Sequence, residues 1–145
     1  MTRPFASFNF AFAVLALATS IGSASDARAA TDSEISVSEV APPPASAGVD
    51  QAQLKSAAEV EVKQIDGSRT KGRRVLVSVA LLSRDDAPVS FSVNATLRDA
   101  KSGSMIAIVE GRARAEGNAT SDLKREVARA ALRSAVRQIP DALGK

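Results

Sequence analysis

From Val89 to Ala115 apolar and polar residues alternate with a period of two, interrupted once by a turn, and this pattern dictates an antiparallel hairpin to which the rest of the chain must adapt. Val89, Phe91, Val93, Ala95 and Leu97 interleave with Ser90, Ser92, Asn94 and Thr96, so one face of the first strand is dry and the other wet. Asp99-Ala-Lys-Ser-Gly103 reads as a type I turn with glycine where the backbone needs a positive φ. The return strand, Ser104 to Ala115, sends Met105, Ala107, Val109, Gly111, Ala113 and Ala115 one way and Glu110, Arg112 and Arg114 the other. The small residues at 111, 113 and 115 leave room for a closely packed helix.

Ser121 to Ile139 supplies that helix, with Thr120 or Ser121 as N-cap and Pro140 marking its end. Ala128, Ala131, Leu132, Ala135, Val136 and Ile139 share one face, while Arg129, Arg133 and Arg137 form a stripe beside it. Ahead of the hairpin, Val75, Val77, Val79 and Leu81 line one side of a further strand. Leu76, Ala80 and Leu82 make its other side partly apolar, which suits an inner strand covered on both faces. Ser83 to Pro88 reads as a loop. Asp50 caps a helix running to Ile65, in which Leu54, Ala57, Ala58, Val62 and Ile65 recur at spacings of three and four, although the alternation through Val60 and Val62 also fits a short strand. The expected fold is α+β in two layers: helix, three-stranded antiparallel sheet, helix (αβββα), with both helices on one sheet face.

Two segments precede this domain, which is expected to span residues 51–145. Arg3, the apolar run Phe8 to Ala18 and the small residues that follow predict a secretory signal peptide over residues 1–29, cleaved after Ala29 or after Ala24. The apolar run is shorter than the roughly 20 residues that span a bilayer, so no transmembrane segment is expected after cleavage. Residues 30–50 carry four acids, no base and Pro42-Pro43-Pro44, and read as a disordered acidic linker. The charge then reverses: residues 51–145 hold 17 Lys or Arg against 11 Asp or Glu, a net +6 hidden within the whole-chain +3. Richness in alanine, arginine, serine and valine, with so few aromatics, suggests a bacterial source with a GC-rich genome.

The sequence has no cysteine, histidine, tryptophan or tyrosine. Disulfides, thiolate or imidazole metal sites, Ser-His-Asp and Cys-His nucleophiles and imidazole acid–base catalysis therefore require side chains that the chain lacks. Asp85-Asp86 lacks the ligand spacing of a hard-cation loop. Ser121 and Lys124 have the spacing of serine acylases without the companion motifs. Asn94-Ala-Thr96 and Asn118-Ala-Thr120 fit a glycosylation acceptor pattern but read as strand and helix cap. The one specific constellation is basic: the connection Ser68 to Arg74, with Arg73 and Arg74, and the helical stripe of Arg129, Arg133 and Arg137 are the candidate anion-contact residues. No metal, cofactor or catalytic residue is assigned.

The stretch FSVNATLRDAKSGSMIAIVEGRARAEG, followed by the alanine-rich helix LKREVARAALRSAVRQI, resembles the closing region of small bacterial envelope domains of the curli-secretion-channel and TolB amino-terminal-like type. Asp99, Ser102 and Gly103 carry the resemblance: a strand ends in Asp, a turn holds Ser then Gly, and a terminal helix follows the return strand. Residues 51–145 are covered loosely, and the chain departs from the pattern in having no lipidation cysteine and no pore-forming segment. The resemblance implies an envelope assembly or accessory role without catalysis. The functional expectation is a periplasmic or secreted, non-enzymatic protein that contacts another envelope protein. The alternative is an anion-binding module that meets phospholipid or lipopolysaccharide through its basic helix face. Nucleic acid is not an expected partner, because one aromatic in the mature chain provides no stacking platform.

Overall fold

The computed structural model describes residues 34–145, and the predicted signal peptide lies outside them. The described chain is α+β, with a four-stranded sheet in the order β1-β2-β3-β4 and its helices on one face. β2 (Val75–Asp86), β3 (Val89–Asp99) and β4 (Met105–Ala115) form the antiparallel meander expected from the period-two pattern. Helix α1 (Gln51–Lys63) precedes them; α2 (Ser121–Arg137) and the short α3 (Ile139–Leu143) follow.

The expected three-stranded sheet and disordered linker are both corrected by β1 (Ile35–Val40), which pairs in parallel with β2, Ile35 opposite Val75 and Val40 opposite Val79. Parallel pairing requires a crossover, and the connection through a 3-10 turn at Ala45–Ala47 and then α1 provides it. Ile35, Val40 and Ala47 are buried, at 3%, 4% and 0% exposure, and the Gln51 side chain donates a 2.6 Å bond to the Val40 carbonyl. Burial of these apolar residues, with Glu34 accepting the Thr70 hydroxyl, holds the segment to the domain. Two further differences are local. The expected loop over residues 83–88 contracts to Ala87-Pro88, because β2 continues through a bulge to Asp86. A second bulge, at Ile106, leaves Met105 opposite Arg98 and turns it outward instead of into the core.

The expected helix over residues 51–65 ends at Lys63. Asp50 Oδ1 accepts the Gln53 amide at 2.7 Å while the Asp50 amide donates to the Gln53 side chain, a reciprocal cap that satisfies two otherwise orphaned donors. Thr120 caps α2 by accepting the Leu123 amide. Pro140 lies in the first turn of α3 and not simply beyond a helix.

The core lies between the sheet and the helices. Val75, Val77, Val79 and Leu81 from β2 and Val89, Phe91, Val93, Ala95 and Leu97 from β3 form its floor. Leu54, Ala58 and Val62 of α1, and Val127, Ala128, Ala131, Leu132, Ala135 and Val136 of α2, close it from above. α1 packs on β1, and α2 packs on β3 and β4. With one aromatic in the core, close approach replaces bulk: three alanines of α2 and Gly111 of β4 let helix and sheet meet almost backbone to backbone.

Candidate interaction surfaces

Because both long helices occupy one face, the other side of the sheet is uncovered among the described residues. β2 is therefore interior in strand order but open on its Leu76, Ala80 and Leu82 side, which corrects the expectation of cover on both faces. The strand register sets the rows of this bare face. Leu82 lies beside Ser92 and Arg112, Ala80 beside Asn94 and Glu110, and Ser78 beside Thr96 and Ile108. Ser38 extends the last row, its hydroxyl 3.2 Å from that of Ser78. The middle is flat and hydroxyl-rich, while Leu82 and Ile108 stand exposed at 40% and 58%. At one end a polar network ties three strands together. Arg84 Nε donates to Ser92 Oγ at 3.1 Å, and Arg112 donates to both oxygens of Glu110 at 2.8 and 3.1 Å. The Arg112 guanidinium, helped by Arg84, holds the Glu110 carboxyl below the usual carboxylate range. Reading residues 83–88 as a loop missed Arg84; continuing the β2 alternation two residues past Leu82 would have found it.

The candidate anion-contact residues separate into two groups. Arg129 and Arg133 edge a groove of about 580 Å³ between α1 and α2, floored by Ala57, Val60 and Leu132. Arg133 Nε is 3.1 Å from Glu61 Oε1, an ion pair whose guanidinium stays half in water. That pair spans 72 positions of sequence, and no local pattern announces it. Arg137 lines a neighbouring recess with Asp66 and Pro140. Arg73 and Arg74 lie elsewhere, at the end of the sheet where the connection into β2 meets the β3–β4 turn, the Ala100 amide donating to the Arg74 carbonyl. There Asp99 Oδ1 accepts the amides of Lys101 and Ser102 at 2.8 and 2.9 Å. Those amide bonds, with a smaller contribution from Arg73, lower the Asp99 pKa. Asp66 is lowered in the same way by the Ser68 amide and hydroxyl.

The acidic and acylase-like pairs do not assemble into sites. Asp85 accepts from Ser90, while Asp86 pairs with Lys124 at 3.5 Å. Lys124 is thus directed to β2, and Ser121 stands in the first turn of α2. Among the described residues no group of three or more acidic, histidine or cysteine side chains is placed to hold a metal ion, and no helix is long and apolar enough to cross a membrane.

No protein-family model matches the chain, and no curated protein matches it. Among solved structures it is similar to a "putative lipoprotein" from Caulobacter crescentus CB15, at 17% sequence identity and a TM-score of 0.45, over 77% of this chain and 89% of that one.

Proposed function

We propose that the protein is an exported, non-catalytic component of the bacterial envelope that acts through protein–protein contact, and that the helix-free face of its sheet is the contact surface. The sorting of exposed apolar side chains carries this reading. Four large hydrophobics are exposed among the described residues, and three of them, Leu82, Met105 and Ile108, belong to the bare side of the sheet; the fourth, Val60, is on α1. An antiparallel sheet commonly leaves one face in water, so bareness alone says little. Large aliphatic side chains set in a flat field of serine, threonine and asparagine are what a partner surface offers: apolar anchors within a rim that can pay its own hydration through hydrogen bonds. Export rests on Arg3, the Phe8 to Ala18 run and Ala27-Arg28-Ala29, and the absence of catalysis on a side-chain inventory without histidine, cysteine or tyrosine.

Site-specific photo-crosslinking in the source cells tests the reading. A photoreactive residue at Asn94 or Ile108 should give discrete protein adducts, and one at Ala130 on the outer surface of α2 should not. Adducts confined to Ala130, or absent from all three positions, would sink the proposal.

A further inference from the structure

We propose that the end of the sheet where the connection into β2 meets the β3–β4 turn docks on an anionic lipid membrane. The inference goes beyond protein contact through the bare face and does not rest on it. Three backbone segments bring six bases to this end. Arg69, Lys71, Arg73 and Arg74 come from the connection, Arg98 from the end of β3 and Lys101 from the turn, and all six are exposed. The register Leu76 opposite Arg98, and the bond from the Ala100 amide to the Arg74 carbonyl, hold the segments side by side.

On the rest of the described surface Arg84, Arg112, Arg114, Lys124, Arg125 and Arg133 each form an ion pair, while Lys55, Lys63, Arg129, Arg137 and Lys145 do not, so what sets the sheet end apart is that it gathers six unpaired bases from three segments. At the sheet end the three acids are committed to the fold. Glu34 accepts the Thr70 hydroxyl, Asp66 the Ser68 amide and hydroxyl, and Asp99 two turn amides. Arg73 and Arg69 act on Asp99 and Asp66 only through space, and no guanidinium or ammonium here is in an ion pair. Met105, opposite Arg98 and 58% exposed, adds an unbranched apolar side chain beside the cations.

Cations on long, unpaired stems from several turns suit a field of mobile phosphates, which needs no fixed donor geometry, and a neighbouring thioether can enter the layer beneath the headgroups. Nucleic acid fits less well, since the only aromatic among the described residues, Phe91, is buried and cannot stack on a base. Each base near an anionic surface strengthens binding by about fivefold at moderate salt, so the loss of three has a large readout.

The test is co-sedimentation of the whole protein, as purified from its host, with vesicles of equal parts phosphatidylglycerol and phosphatidylethanolamine, against vesicles of phosphatidylcholine. Wild type should prefer the anionic vesicles by at least about tenfold at low salt, and the preference should fall as salt rises. Arg73→Gln with Arg74→Gln and Lys101→Gln should remove about tenfold or more of the affinity, while Arg129→Gln with Arg133→Gln and Arg137→Gln should remove about threefold or less. All the variants share one N-terminus, so its contribution cancels. Should the sheet-end triple variant fail to fold, Arg69→Gln with Lys101→Gln serves the same comparison. Equal losses from the two triple variants, equal binding to neutral vesicles, or abolition of binding by inorganic phosphate at unchanged ionic strength would overturn the proposal, the last by pointing to a discrete phosphate site. Photo-crosslinking at Asn94 reports on the bare face separately, so failure of one proposal is distinguishable from failure of the other.

Discussion

At Gly111 a Cβ would stand 2.2 Å from the Ala135 nitrogen and 2.3 Å from the Ala131 oxygen, both in the backbone of α2. Neither atom can rotate away, so Gly111→Ala should force helix and sheet apart and cost at least about 3 kcal/mol, read from urea unfolding. The cost should exceed that of Gly103→Ala, where a Cβ meets open space and only the positive φ of 72° resists, at roughly 1–2 kcal/mol. Phe91 is 2% exposed, and Phe91→Ala should cost about 3–5 kcal/mol, a large part of a small domain's stability. A wild-type thermal midpoint in that variant would place the ring outside the core. Asp99 carries a pH signature. Its carboxylate is bound more tightly in the folded turn than in the unfolded chain, so the stabilisation is present above the ordinary carboxylate pKa and fades as pH falls through and below it. The gap in thermal midpoint between wild type and Asp99→Ala should therefore be full at neutral pH and shrink below about pH 4.

The elements differ in how clearly their own residues announce them. β3, its turn and β4 are legible because one strand face is buried and the other is wet, so alternation records burial directly. α1 and α2 are legible through their caps and three-to-four spacing. β1 is hidden because it is a short edge strand: Ile35, Val37 and Val40 do not alternate evenly across a bulge, and the acids and three prolines around them give the segment the composition of a linker. Its pairing with β2 is parallel and lies across the whole of α1, a contact no local window contains. The same reason hid the Glu61–Arg133 pair, whereas Arg84 was missed only because residues 83–88 read as a loop, and Arg73, Arg74, Arg129, Arg133 and Arg137 were visible as bases but not as two separate groups. The buried edge makes a prediction at this scale. Ile35→Asn should lower stability by about 2–4 kcal/mol in denaturant titration, against almost no change if residues 30–50 were a linker. Glu61→Gln, by contrast, should cost under about 1 kcal/mol, because Arg133 remains half in water.

As a whole molecule the described chain is a one-sided sandwich: helices and core on one side of the sheet, and on the other a flat face carrying Leu82 and Ile108, bordered at one end by unpaired bases. The proposed protein contact requires that this face be covered in the cell envelope. Hydroxyl-radical footprinting can check this by comparing side-chain oxidation in the purified protein with that in a cell-envelope fraction of the source cells. Leu82 and Ile108 should be protected in the envelope fraction while Val60, the exposed apolar residue on α1, oxidises at the same rate in both. Equal oxidation of Leu82 and Ile108 in the two samples, or protection of Val60 alone, would contradict the proposed contact.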